Sequence, residues 1–246
     1  DVGKGPTSAL LTELTEARAS RDAVVYAVDT ARWERRLIRA GSGDPLAGTV
    51  ARRLANDKSG FETTEGGEIF LGVHNPPLRM IVVGAVHIAQ ALMPMARLAG
   101  YDAALVDPRD AFGSAARFPG ETILNDWPDE ALDALGLDAR TAVVTLTHDP
   151  KLDDPAIRRA LKSDVFYLGC LGSTRTHAKR VARLEAAGFA ADEIARIHAP
   201  LGADIGAATP AEIALSALAQ ITERLRRPDT RPGAAAADPS RQDAAA

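Results

Sequence analysis

The clearest change in hydrophobic pattern along the chain lies at Gly84. Residues 80–83 form an unbroken apolar run, and from Ile88 apolar side chains recur at helical spacing as far as Leu98. A short apolar run that meets a glycine and passes into a 3.6-residue period predicts a strand, a tight turn and a helix. The middle of the chain is therefore predicted to begin a βα unit.

The pattern after this unit repeats the alternation. Further strands are predicted at 101–106, 122–125, 141–145 and 165–168, and helices at 128–135, 155–161, 174–187 and after a capping box at 209–212. We expect Asp154 to cap the helix at 155–161, and residues 197–205 to form a loop or a short last strand. Strands that alternate with helices are typical of parallel βαβ units. Residues 78–227 are therefore predicted to form an α/β domain, a Rossmann-like parallel sheet with helices on both faces and strand order 3-2-1-4-5.

The two ends of the chain have different patterns. Residues 1–77 predict a small α+β module, with a helix at 7–18, strands at 23–29 and 33–38, a second helix capped by Asp44, and a hairpin at 61–64 and 68–73. No set of residues in this module predicts a chemistry. Residues 228–246 contain alanine, proline and charged residues without a period, so we expect a disordered tail.

Composition narrows the class of protein. The 246 residues are 46% hydrophobic and carry a net charge of −4, which gives no reason to expect nucleic acid as a partner. No apolar run approaches the 18 residues of a membrane span, and the N-terminus lacks the pattern of a signal peptide. A single cysteine, Cys170, excludes an internal disulfide and favours a reducing compartment. We therefore expect a cytoplasmic protein without membrane segments.

Three loops are expected to form one ligand crevice. Residues 84–87, 147–149 and 169–177 each follow a predicted strand. In an open parallel sheet, ligands bind outside the carboxyl ends of the strands, at the point where the strand order reverses. The residues we expect to contact a ligand there are Gly84, Ala85, His87, Asp107, Arg109, His148, Asp149, Gly169, Cys170, Gly172, Ser173, Arg175 and His177.

The dinucleotide fingerprint is incomplete. The chain has only the first glycine of G-x-G-x-x-G, at Gly84, and Val86 stands where the second glycine allows a pyrophosphate to approach. Asp107 follows Gly84 by 23 residues, a spacing at which an acid can bind a ribose hydroxyl. Arg109 could instead bind a 2′-phosphate, and Asp107 could simply cap the next turn.

The stretch from Gly172 to His177 is the best candidate anion site. Free amides at a helix N-terminus, two small hydroxyl residues and Arg175 suit a phosphate or pyrophosphate. The plainer interpretation is that Ser173 is an N-cap and Arg175 is solvated.

Cys170 and the residues near His148 each allow two interpretations. Cys170 is either a buried small hydrophobe or a thiolate activated by the neighbouring helix N-terminus. His148 could donate a proton or contact a ligand. A metal site formed by His148, Asp149, Asp153 and Asp154 is not predicted, because four residues of one loop rarely face a single ion.

Several long motifs together resemble the XdhC/CoxI family. They are VVGAVHIAQAL, LVDPRDAF, LTHDPKLDD, FYLGCLGSTRTHAKR and RIHAPLGADIGAATPAEIA, and they cover roughly residues 78–226 in order. The resemblance implies an accessory protein that binds molybdenum cofactor (molybdopterin), supports its sulfuration with a cysteine desulfurase, and delivers it to an apo molybdenum hydroxylase of the xanthine dehydrogenase type. It also implies a maturation factor and chaperone with no catalytic residues, and we expect a homodimer.

Two other functions use the same crevice. One is an NAD(P)-dependent oxidoreductase, against which the missing fingerprint glycines count. The other is a nucleotide-binding regulatory module of a larger assembly.

Overall fold

The computed structural model describes residues 5–227. The chain divides into two compact units, and the boundary between them lies between Pro77 and Leu78. The tail predicted at 228–246 lies outside the described residues. None of the described helices has the length and apolar character that a membrane span requires.

The first unit is a four-stranded antiparallel sheet with two helices. Its elements are α1 (Ser8–Ala19), β1 (Val24–Asp29), β2 (Arg35–Ile38), α2 (Ala47–Ala55), β3 (Gly60–Thr64) and β4 (Gly67–His74), and the strand order is β2-β1-β4-β3. Val50 and Leu54 on α2 pack against Val25, Ala27 and Leu71 of the sheet. Both predicted hairpins are confirmed.

Asp44 does not cap α2. That helix begins at Ala47 with Leu46 as its N-cap. The Asp44 carboxylate accepts a hydrogen bond from the Leu46 amide (2.8 Å) and forms an ion pair with Arg36 (2.7 Å). The Asp44 side chain therefore bonds to the local turn and to Arg36 of β2, and it does not cap the helix.

The second unit is a six-stranded parallel sheet. Its elements are β5 (Arg79–Val83), α3 (His87–Leu98), β6 (Asp102–Val106), β7 (Thr122–Leu124), α4 (Pro128–Leu135), β8 (Thr141–Thr145), α5 (Pro150–Leu161), β9 (Tyr167–Cys170), α6 (Thr174–Ala186), α7 (Ala191–Ile194), β10 (Ile197–His198) and α8 (Pro210–Arg226). The order is β10-β9-β8-β5-β6-β7, and every pair is parallel. The predicted order is confirmed, with β10 as a sixth strand at the edge.

Helices cover both faces of this sheet, as predicted. On β5, Met80 and Val82 join a core with residues of α3 and α8, whereas Ile81 and Val83 join a second core with residues of α4, α5 and α6. Successive side chains of a strand point to opposite faces, so an apolar run is the pattern of a strand buried on both sides. This explains why β5 and β8 are apolar or buried at almost every position.

Helix α5 begins one turn earlier than predicted. Asp149, not Asp154, is its N-cap, and the Asp149 carboxylate accepts a hydrogen bond from the Lys151 amide (2.9 Å). Both positions present an acid followed by proline, so local chemistry favours them equally. The tertiary structure selects the first, because Leu152 is then buried in the helix and Asp154 meets Arg183 on α6.

Candidate functional site

The three loops predicted to converge do so at one edge of the sheet. β8 lies between β5 and β9, and all three strands end at the same side. The Leu146 amide donates to the Val83 carbonyl (2.9 Å), and the Leu171 amide donates to the Thr145 carbonyl (2.9 Å). The loops that follow β5, β8 and β9 therefore start as neighbours.

Gly84 allows the first two of these loops to approach each other closely. Its φ is +111°, and a Cβ atom there would lie 2.6 Å from Cγ2 of Thr147. A side chain at this position would be both strained and obstructed. Gly84 is buried. It therefore allows the loop after β8 (residues 146–149, the β8 loop) to pack against the turn after β5, and it is not exposed to a ligand.

Asp107 and Arg109 form an ion pair that closes the turn after β5. The Asp107 carboxylate is fully buried; its Oδ2 accepts from the Ala85 amide (2.8 Å) and from Arg109 Nη2 (2.7 Å). Its Oδ1 accepts from the Arg109 amide (3.0 Å) and from Nε (2.8 Å). Burial would raise the pKa of Asp107, but the hydrogen bonds from Arg109 and from the Ala85 amide lower it below its usual value. The carboxylate accepts four hydrogen bonds within the chain, which agrees with the turn-capping alternative. A contact with a ribose hydroxyl would have to replace one of them, and it stays a prediction.

The main basic feature of this edge is a cleft between the β8 loop and α6, which we call the basic cleft. It measures about 530 Å³, within the usual range for ligand sites. It is lined by His148, Pro150, Asp153, Arg175, Thr176, Lys179, Arg180 and Arg183. His148 has a φ of +60°, so the loop presents it from a left-handed turn.

Four cations line the basic cleft, and two of them are held by the fold. Arg183 forms a bidentate ion pair with the buried Asp154 carboxylate, at 2.6 and 2.9 Å. Arg180 is 2% exposed, and its Nη2 donates to the Leu171 carbonyl (3.0 Å). Arg175 and Lys179 are exposed side chains on α6.

Asp153 is the buried acid of the basic cleft. Its Oδ1 accepts from the Thr147 hydroxyl (2.7 Å) and from the Thr147 amide (3.3 Å). Burial raises the pKa of this carboxyl, while hydrogen bonds from Thr147 and the positive charge of Arg180 oppose the increase. Asp153 therefore holds the β8 loop, which carries His148, through its two hydrogen bonds with Thr147.

The N-terminus of α6 opens at the same edge. Ser173 is the N-cap, and its hydroxyl accepts from the Thr176 amide (3.2 Å). This is the plainer of the two predicted roles, and it leaves the earlier amides of the first turn for other acceptors. Burial, assisted by the charge of Arg180, lowers the pKa of His177 below its usual value.

A second cleft, which we call the apolar cleft, adjoins the first at His148. It measures about 570 Å³ and lies between the β9 loop, the loop after β10 and the start of α8. Most of its walls are small or apolar residues: Leu171, Gly172, Pro200, Leu201, Gly202, Ala203, Ile205, Gly206, Ala207 and Ile213. His148, Asp204 and Ser216 add polar groups to the wall.

Cys170 does not supply a thiolate to either cleft. Its side chain is fully buried in the core beneath α5 and α6, and burial raises the pKa of the thiol to about 11. The structure supports the interpretation as a small buried hydrophobe. Gly169 is also buried, and a Cβ atom there would lie 2.6 Å from both Leu201 and Tyr167.

All of the predicted ligand residues except His87 therefore fall into two groups. Those on the cleft walls are His148, Gly172 and Arg175, with Ser173 and His177 on the same first turns of α6. Those committed to the fold are Gly84, Ala85, Asp107, Arg109, Asp149, Gly169 and Cys170. His87 is exposed at the first position of α3 and lines neither cleft.

Sequence reasoning missed Arg180 and the loop after β10. A usable signal existed for Arg180, because Thr176, Arg180 and Arg183 recur at helical spacing on one face of α6. For residues 200–207 the sequence shows only glycine, proline and small apolar residues, which predict a loop without a role. Among residues 5–227 the structure shows no cluster of His, Cys, Asp or Glu that could hold a metal ion.

Comparison with known proteins identifies one family. The family profile of the XdhC Rossmann domain matches residues 80–221, which is more than half of the chain. Two curated relatives come from Escherichia coli K12: the uncharacterized protein YqeB, 32% identical over 72% of this chain, and the molybdenum cofactor insertion chaperone PaoD, 32% identical over 59%. A probable xanthine dehydrogenase component of Bacillus subtilis is 28% identical over 65% of the chain.

The match does not extend over the whole of these relatives. The aligned region spans 32%, 40% and 46% of their lengths, in the order given. Among solved structures, a xanthine dehydrogenase from Bacillus halodurans resembles this chain with a TM-score of 0.61 at 22% identity, over 92% of this chain and 66% of that one. At that identity the likeness concerns the fold alone.

Proposed function

The chain belongs to the XdhC Rossmann domain family, and from this premise we propose that it binds molybdenum cofactor and inserts it into a molybdenum hydroxylase of the xanthine dehydrogenase type. The relative PaoD is named a molybdenum cofactor insertion chaperone. The observation that carries the proposal is the pair of clefts that meet at His148, one basic and one apolar.

The clefts match the two chemical parts of molybdopterin. In the proposed complex its phosphate lies in the basic cleft, near the first turn of α6 and Arg175, where free amides and a guanidinium favour an anion. Its flat ring system lies in the apolar cleft, against Leu171, Gly172 and Ile213. His148, on the wall of both clefts, lies between the two parts.

The finer steps belong to the proposal as well. The chain would act with a cysteine desulfurase during sulfuration, in the cytoplasm, and would pass the finished cofactor to the apo hydroxylase. Because Cys170 is fully buried and its pKa is raised to about 11, the proposal gives its thiol no part in carrying sulfur. That the chain acts as a homodimer stays a prediction, which the mass of the purified protein would test.

A dinucleotide is not the ligand that we propose. The Ala85 amide and the Asp107 carboxylate, which would bind a pyrophosphate and a ribose in the usual mode, bind each other instead. Val86 adds a side chain at the N-cap of α3, close to where a pyrophosphate would lie.

The direct test is to purify the full chain from cells that make molybdenum cofactor and from matched cells that do not. We expect molybdenum and molybdopterin to copurify with the chain in the first case alone. Mixing the purified chain with molybdenum cofactor or with NADPH then separates the alternatives. Saturable binding of NADPH with hydride transfer, and none of molybdenum cofactor, would refute the proposal.

Arg175→Ala tests the phosphate position. Arg175 is exposed and forms no ion pair within residues 5–227, so the thermal midpoint should not change. A charged hydrogen bond to phosphate contributes about 1.5–3 kcal/mol, so the Kd for the cofactor should rise roughly tenfold or more. An unchanged Kd would show that the start of α6 does not bind the phosphate.

A further inference from the structure

Arg180 is a buried cation whose hydrogen bonds are incomplete. Its side chain is 2% exposed, and one nitrogen, Nη2, donates to the Leu171 carbonyl. The other two nitrogens, Nε and Nη1, are buried and have no hydrogen-bond partner within the described part of the chain. Arg180 also lines the basic cleft.

A guanidinium in this state is costly for the folded protein. The guanidinium of arginine is a permanent cation in proteins, so its burial is also the burial of a charge. Burying a charge without a partner destabilises the fold, and buried donors are almost always paired. The oxygens of a carboxylate or phosphate are the acceptors that best satisfy the donors of a guanidinium, because they also neutralise its charge.

The surroundings favour a ligand with more than one negative charge. Arg183 is neutralised by Asp154, and Asp153, hydrogen-bonded to Thr147, is the acid that lines the cleft. Arg175, Lys179 and Arg180 also line the cleft. None of the three takes part in a salt bridge within residues 5–227, although the charge of Arg180 acts on Asp153. These three cations outnumber the one buried carboxyl group that lines the cleft, that of Asp153.

We propose that Arg180 is the buried anchor for a phosphate monoester, which enters the basic cleft and accepts hydrogen bonds from the guanidinium donors that the fold leaves unpaired. The inference rests on the proposed function only for the identity of the molecule that bears the phosphate. Arg175 and Lys179 contact the same group from the solvent side. The bond from Nη2 to the Leu171 carbonyl orients the guanidinium and connects the anchor to the loop after β9.

The first experiment uses the wild-type chain with inorganic phosphate and pyrophosphate as probes. Calorimetric titration at constant ionic strength should show saturable binding. In a parallel NMR titration, the guanidinium N–H resonances of Arg180 should move with the same saturation curve. Absence of saturable binding, or binding that leaves these resonances unmoved, would overturn the inference.

The second experiment compares three variants. Arg180→Met should weaken phosphate binding at least about tenfold, and Arg180→Lys, which keeps the charge but loses the planar guanidinium, should fall between it and the wild type. Arg158→Gln, which removes an exposed arginine of α5 that does not line the cleft, should bind like the wild type.

Thermal stability separates a ligand anchor from a structural arginine. Arg180→Met removes two unpaired buried nitrogens, but it also removes the bond to the Leu171 carbonyl and the positive charge that acts on Asp153. These effects oppose each other, so the thermal midpoint without ligand should stay close to that of the wild type while phosphate binding falls. A lower midpoint together with unchanged phosphate binding would make Arg180 structural and refute the inference. If the variant does not fold, the NMR titration of the wild type still decides.

Molybdopterin and NADPH distinguish this inference from the proposed function. If the wild type binds phosphate through Arg180 but does not bind molybdopterin, the anchor stands and the proposed function fails. If molybdopterin binds wild type and Arg180→Met equally, the proposed function stands and the anchor fails. If NADPH competes with inorganic phosphate and molybdopterin does not, the phosphate belongs to a nucleotide; the anchor then stands, and the proposed function fails.

Discussion

Asp107→Asn should destabilise the second unit without acting on the ligand clefts. Each carboxylate oxygen of Asp107 accepts two hydrogen bonds: Oδ1 from the Arg109 amide and Nε, and Oδ2 from the Ala85 amide and Arg109 Nη2. Asparagine replaces one oxygen with an NH₂ group. In either orientation the NH₂ group faces two N–H donors. Two hydrogen bonds are therefore lost, and donor groups face each other where those bonds were.

The expected cost follows from the burial of the pair. Removing one partner of a buried ion pair costs about 3–5 kcal/mol. The Arg109 side chain is 37% exposed and can turn toward solvent, so we expect about 3 kcal/mol at pH 7. For a domain of this size that corresponds to a decrease of roughly 6–12 °C in the thermal midpoint.

The effect should also depend on pH. Because the pKa of Asp107 is lowered in the folded chain, its carboxylate stabilises the fold above the unfolded pKa of about 4. That contribution disappears as the pH falls through the folded pKa. The difference between wild type and Asp107→Asn should therefore be full at pH 7 and shrink below about pH 4.

Urea unfolding followed by the fluorescence of Trp127 measures this change in the second unit, with Trp33 replaced by phenylalanine in every variant. Asp102→Asn is the matched control, since it neutralises an exposed carboxylate at the start of β6, the strand that Asp107 directly follows. It should unfold like the wild type. A loss below about 1 kcal/mol for Asp107→Asn, or a loss that persists unchanged at about pH 3, would show that the ion pair does not close this turn.

Three further predictions concern other buried groups. Arg183→Met leaves the Asp154 carboxylate buried without its cation, so urea unfolding should show a loss of about 2 kcal/mol; equal stability would show that the pair is solvated. Burial lowers the pKa of His198 from 6.5 to about 4. As the pH falls from 6.5 to about 4, the imidazole binds a proton in the unfolded chain before it does so in the folded chain. The folded chain should therefore lose about 3 kcal/mol of stability over this range. His198→Phe should lack this loss in the same unfolding assay, and an unchanged pH profile would assign it to another group. Cys170→Ala should leave hydroxylase maturation intact, and iodoacetamide should not modify the folded wild type, since the thiol is buried; loss of sulfurated hydroxylase with the fold preserved would contradict this.

Local pattern was sufficient for most of the second unit. The apolar runs of β5 and β8 require a strand buried on both faces, and helices follow each of them, so a parallel sheet with that strand order was predictable. The meeting of three loops at one edge follows from the order itself. These features depend on the residues of one element and its neighbours in the chain.

The first turn of α5 shows where local pattern is ambiguous. Asp149-Pro150 and Asp154-Pro155 offer the same capping chemistry within a few positions of each other. The choice depends on Arg183, which is 29 residues further along the chain and pairs with Asp154. No property of the helix alone contains that information.

The amino-acid sequence by itself determined the class of fold, the positions of the strands and the edge of the sheet at which the loops meet, because periodicity and turn residues act over a few positions. Only the tertiary structure decided what the polar side chains do there. It buried Cys170 in the core, paired Asp107 with Arg109, and left Arg180 buried beside a cleft with two nitrogens unpaired. Burial depends on residues that are distant in the chain and close in space. Even the Asp107–Arg109 pair, two positions apart, is buried by other elements and bonded to the Ala85 amide, 22 residues away. No local pattern can express such contacts.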